Sequence, residues 1–118
     1  MVKLVFALRR LPHLSRAEFQ RYWREQHAPL VLKHAKVLGI RRYVQLHTIE
    51  TSINEALRTR GGPEAFDGVA EIWLDRAEVI LTPDAARAGQ ELLEDEKKFI
   101  DLKLSPLWLA EEREIISL

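Results

Sequence analysis

The segment Asp67 to Leu74 reads Asp-Gly-Val-Ala-Glu-Ile-Trp-Leu and carries apolar side chains on both faces of the strand it would form. With a side-chain period of two, Ala70, Ile72 and Leu74 point one way while Val69 and Trp73 point the other. The opening segment splits likewise, Leu4, Phe6 and Leu8 from Val5 and Ala7. A strand that meets water on one side is clean on that side, so a sheet built from these strands needs cover on both.

The chain supplies helices for one face only. Val2 to Arg10 is rich in β-formers and closes at Leu11-Pro12-His13, as a strand entering a loop does. Ser15-Arg16-Ala17-Glu18 has the spacing of a capping box, in which hydroxyl and carboxylate satisfy orphan amides at a helix start. The stripe Phe19, Trp23, His27, Leu30, Val31 and Leu38 carries that helix to a stop at Gly39. Pro29 removes a donor inside it and crowds the preceding turn, which predicts a kink or break near His27. Ile40 to Ile49 alternates as a second strand, Glu50 to Arg60 is polar with room for a helical turn, and Gly61-Gly62-Pro63 is a loop. Asp67-Gly68 reads as the turn into the third strand, the glycine tolerating positive φ. Asp84 to about Leu104 is a second helix, with Glu94 leading Lys98; Pro106 ends it, and Leu107 to Ile116 is a last strand.

This order, βαββαβ, is a split βαβ unit. A chain of 118 residues suits one such domain, residues 1–118, and is too short for two. The expected fold is α+β and ferredoxin-like, an antiparallel four-stranded sheet with both helices on one face. The simplest cover for the other face is an identical sheet, which predicts an obligate homodimer.

Composition narrows the function. Eighteen basic and eighteen acidic side chains cancel, leaving no electrostatic footprint for nucleic acid. The absence of cysteine excludes disulfides, thiolate metal sites and a cysteine nucleophile. No segment has the length of a membrane span or the flanks of a signal peptide, so the expected location is the cytoplasm. A phosphate-cradling glycine loop, a serine elbow and a dinucleotide fingerprint are all missing, so any chemistry must be economical in cofactors.

His27 is the first candidate for chemistry. It falls on the apolar face between Trp23 and Leu30, where a histidine can serve as acid or base near neutrality, or simply be a satisfied core residue. Asp95 is the second, flanked at helical spacing by Ala88, Leu92, Phe99 and Leu102. A carboxylate in an apolar stripe needs a partner, and His27, His34 or a sheet arginine could supply it. The pairing is either an acid/base couple or an ion pair that only ties the helices. His34, seven residues after His27, is too distant to share a metal with it, so no metal site is expected; haem stays open because one axial histidine suffices. Trp23, Tyr22, Phe6, Tyr43 and Trp73, with His34, are the expected wall of a pocket for a flat small molecule, plain core being the alternative. Glu71 faces the Trp73 side, as a rim residue or dimer contact.

The segment Phe19-Gln20-Arg21-Tyr22-Trp23-Arg24-Glu25-Gln26-His27-Ala28-Pro29-Leu30-Val31, preceded by Arg10-Leu11-Pro12-His13-Leu14-Ser15, resembles the signature of the EthD family. Phe66 to Trp73 and Asp95 to Asp101 agree with it. The resemblance implies a ferredoxin-like protomer dimerising as an αβ barrel, with a ligand cavity between sheet and helices. It also implies the chemistries associated with members: ether degradation, dehydration of aromatic polyketides and lactone isomerisation, with cofactor-free monooxygenases and haem-degrading enzymes among relatives of the same architecture. The stretch Thr51 to Gly62 departs from the pattern like an insertion. The leading expectation is a cofactor-independent oxidoreductase of monooxygenase type, acting on a small aromatic, polyketide or lactone substrate with His27 as acid/base. A dehydratase or isomerase on the same substrates and a non-catalytic binding dimer are the alternatives.

Overall fold

Each strand expected from apolar alternation is present in the computed structural model, which describes residues 1–118. Strands β1 (Val2–Leu8), β2 (Ile40–His47), β3 (Gly68–Leu74) and β4 (Leu107–Ala110) form one antiparallel sheet in the order β2-β3-β1-β4. That is the ferredoxin-like arrangement. One sheet face carries Leu4, Phe6, Leu8, Ala70, Ile72 and Leu74 toward the helices. The other carries Lys3, Glu71 and Trp73, with Lys3 Nζ 2.6 Å from Glu71 and 4.2 Å above the Trp73 ring.

The first helix starts as its capping box dictates, Ser15 and Glu18 bonding each other's backbone amides. It runs as α1 (Arg16–Tyr22), a five-residue π turn (Trp23–His27) and α2 (Ala28–His34), so the break ahead of Pro29 is a widened turn rather than an interruption. Thr51 caps α3 (Ser52–Arg58), which buries no residue. The last helix, α4 (Pro83–Glu96), is capped by Thr82. Phe19, Trp23, Phe99, Leu8 and Leu74 are the largest fully buried apolar side chains, and they set the core between sheet and helices. No helix is long and apolar enough to cross a membrane.

Three features differ most from the sequence reading. The last helix ends at Glu96, eight residues short of Leu104, because Phe99 and Ile100 turn into the core and the backbone of 99–101 is captured by the end of β1: Leu11 N–H donates to Phe99 O, and Asp101 N–H to Arg9 O. Strand β4 stops at Ala110 rather than Ile116 because Ala110 pairs with Lys3 and β1 has almost no residues left to pair beyond it. Gly68 does not adopt positive φ, which only Gly39 and Gly61 do. Its constraint is space, since a Cβ there would lie 2.4 Å from the Trp23 ring.

Candidate active site

The π turn sets the geometry of the site. Ala28 N–H reaches back to Trp23 O, five residues earlier, and the widened turn leaves Trp23 and His27 both facing inward, 1% and 4% exposed. Insertions of this kind recur at functional positions. His27 Nδ1 lies 2.7 Å from Asp95 Oδ2 on α4. Asp95 Oδ1 accepts from the Tyr22 hydroxyl at 2.7 Å, with Lys98 Nζ 3.7 Å away.

Burial works to raise the Asp95 pKa, but the bonds from Tyr22 and His27 outweigh it and hold the group below its ordinary value. An ionised carboxylate only accepts, so His27 carries its proton on Nδ1. Burial lowers the His27 pKa by more than Asp95 restores, keeping the imidazole neutral at pH 7. Its Nε2 is left with a free lone pair, 3.8 Å from Glu96 Oε2.

His27 and Glu96 line a cavity of about 340 Å³ between sheet and helices, a size within the usual range of small-molecule sites. Leu4, Phe6 and Ile72 form its floor, Val31 of α2 and Leu92 and Leu93 of α4 its roof. Burial, reinforced by the charge on neighbouring Asp95, pushes Glu96 up to about 7. The Tyr43 hydroxyl accepts from Gln45 Nε2 at 2.8 Å, and burial raises its pKa.

Five of the residues singled out from sequence meet here: His27 and Asp95 as a bonded pair, and Phe6, Trp23 and Tyr43 on the cavity wall. Asp95 stands behind His27, and three of the expected wall residues do not line the cavity. Trp73 lies on the opposite sheet face, between Lys3 and Arg42, because its strand position has the other parity. Tyr22 packs on Phe99 and turns its hydroxyl to Asp95. His34 bonds Glu91, 2.7 Å away, outside the cavity. Glu96 was missed by the sequence reading, although its spacing from Leu92, Leu93 and Ile100 puts an acid into an apolar stripe.

A second buried acid is Asp67, 1% exposed at the entry to β3. Its Oδ1 accepts from Arg10 Nη1 at 2.6 Å and Arg16 Nε at 2.9 Å, and its Oδ2 from the Arg10 amide at 2.8 Å. An open concavity of about 890 Å³ between α3 and the body includes Arg10 and Arg16, but Asp67 already engages both. No group of three metal-ligating side chains is positioned to hold an ion.

A family model described as EthD domain matches residues 11–103. An ethyl tert-butyl ether d (EthD) family protein from Bacillus halodurans is 25% identical and superposes with a TM-score of 0.62, over 96% of this chain and 99% of that one. An EthD-like protein from Ralstonia eutropha is 20% identical, TM-score 0.58, over 93% and 90% of the two chains. A dimeric protein of unknown function and ferredoxin-like fold from Bacteroides fragilis is 11% identical, TM-score 0.58, over 94% and 95%. No curated protein matches.

Proposed function

The chain belongs to the EthD family, and on that footing we propose that it is a small cytoplasmic enzyme that moves protons on an aromatic, polyketide or lactone substrate, with His27 as acid/base. One observation carries this reading: a neutral imidazole, fixed through Nδ1 by Asp95, presents Nε2 at the wall of an apolar cavity. A base held in one tautomer and shielded from water needs little reorganisation to take a proton from an activated carbon. The carbanion so formed reacts with dioxygen in the monooxygenase outcome. There a CH₂ group plus O₂ gives C=O plus H₂O, the substrate itself being the reductant, so no cofactor is required. Dehydration or isomerisation would begin with the same proton abstraction.

The working unit in this proposal is a homodimer. The sheet face away from the helices exposes Leu46 and Trp108 to 47% and 46%. It also presents Lys3 and Arg42 beside Glu71 and Glu112, a mixture of charges that a two-fold copy can complement. Light scattering at micromolar concentration should give twice the protomer mass, and a stable monomer would remove the dimer from the proposal.

A thermal-shift screen against planar aromatics and lactones tests the site. The expected result is a ligand-specific rise in Tm that His27→Ala abolishes, with oxygen uptake by the wild type as the readout for the monooxygenase outcome. No shift with any ligand would mean that the cavity is packing space and the reading wrong.

A further inference from the structure

Glu96 is a carboxyl group with unused bonding capacity facing an apolar cavity. Its side chain is 17% exposed, and the one titratable nitrogen within 4 Å is the neutral His27 Nε2, at 3.8 Å, beyond hydrogen-bonding reach. No hydrogen bond of the protein ends on either oxygen. Asp95, the preceding residue, contrasts with it: both its oxygens are bonded, and it faces away from the cavity toward Tyr22 and His27. A carboxyl group that the protein leaves unengaged at an apolar wall is free to bond a molecule that enters there.

We infer that Glu96 is a second catalytic residue, which donates a proton to the carbonyl oxygen of an enolisable ring ketone while His27 Nε2 removes the proton from the adjacent carbon. This rests on the His27 reading above. In the step the C–H bond breaks and its proton goes to Nε2. The electron pair becomes the C=C bond of the enol, and the carbonyl π pair moves to oxygen and takes the proton from Glu96. The products are a neutral enol, an imidazolium and a carboxylate. The separation of 3.8 Å between Nε2 and Oε2 then has a use, because it is too long to neutralise the two groups against each other beforehand and short enough for the proton to return once the enol has left. With burial and Asp95 raising Glu96 to about 7, the group holds its proton yet can release it near neutrality. The remaining wall is apolar apart from the Tyr43 hydroxyl and the Trp23 indole, which suits a substrate with one carbonyl on an otherwise hydrocarbon frame.

The test is deuterium exchange at the α carbon of 2-tetralone in D₂O, followed by proton NMR across the pH range 5 to 9. The wild type should accelerate exchange with a bell-shaped profile, and His27→Ala should return it to the buffer rate. Glu96→Gln should slow exchange at least tenfold and remove the limb near pH 7, while Glu96→Asp restores part of the rate; melting curves confirm that each variant folds. A Glu96→Gln variant with wild-type rate and profile overturns this inference and leaves His27 standing. Wild-type exchange at the buffer rate, or His27→Ala indistinguishable from wild type, overturns both.

Discussion

Asp67 is a buried carboxyl group and Glu96 a partly buried one, and their surroundings push protonation in opposite directions. Burial alone would raise both. At Asp67 the Arg10 amide and the guanidinium groups of Arg16 and Arg10 outweigh it, and the group stays below its ordinary value. At Glu96 no cation compensates, the adjacent charge of Asp95 adds to the effect, and the group rises to about 7. The first arrangement ties the end of β1, the start of α1 and the entry of β3 together through one saturated anion. The second leaves a proton and a lone pair side by side at a cavity wall. A charge is kept where it joins elements, and a titratable pair is kept where a molecule can enter.

The comparison breaks most visibly at Asp67. Asp67→Ala leaves two guanidinium groups and a backbone amide without their acceptor, and removing one partner of a buried ion cluster costs roughly 3–5 kcal/mol. Because the folded pKa is depressed, this stability is present above the ordinary carboxylate range and lost as pH falls through the folded value. Denaturant unfolding should show a large gap between variant and wild type at pH 7 that narrows toward pH 2. A gap independent of pH would mean that packing, not charge, makes Asp67 matter.

Glu96→Gln should act in the opposite sense and a little less strongly. A carboxyl raised from 4.5 to about 7 is held in its protonated form by the fold, so stability is full below 4.5 and declines as pH rises through 7. At pH 8 the wild type buries a charge that Gln does not carry, and the variant should be more stable by roughly 2–3 kcal/mol, with the difference vanishing near pH 4. A variant that gains stability while losing exchange activity would mark Glu96 as a residue kept for chemistry.

How far the sequence reveals all this depends on whether a feature is local. The strands show in their alternation and the first helix in Ser15 and Glu18, because period and capping are properties of neighbours. The effect of Pro29 is legible as a disturbance, but the form it takes, a π turn, is decided by Trp23 and His27 seeking the core together. Gly68 looks like a turn glycine, and its real constraint is the Trp23 ring arriving from another element. Phe99 and Leu102 continue the helical spacing on paper, while backbone bonds to Arg9 and Leu11 end the helix before them. Residue type alone assigns Trp73 to the pocket, although its parity, read in the same sequence, puts it opposite Phe6. Glu96 hid behind Asp95 because adjacent positions on one helix compete for a single stripe, and here each faces a different neighbour.

The sharpest version of the comparison lies inside the second cluster. Asp95→Asn keeps the size of the side chain and an acceptor for either Tyr22 or His27, but removes the charge. The stability change should be the smallest of the three, a loss of about 1–2 kcal/mol, the scale of one weakened buried hydrogen-bond pair. The protonation effects are more informative. His27 loses the group that raises its pKa, so its value should fall further below the ordinary range. Glu96 loses the neighbouring charge that adds to its burial, so its value should also fall, back toward 4.5. NMR titration of the His27 ring and of the Glu96 side-chain carboxyl would follow both. Two downward movements would establish that Asp95 sets the proton affinity of the base and of the acid at once, which an ion pair serving only to join helices has no reason to do. An unmoved Glu96 would assign its proton to burial alone and reduce Asp95 to a partner of His27.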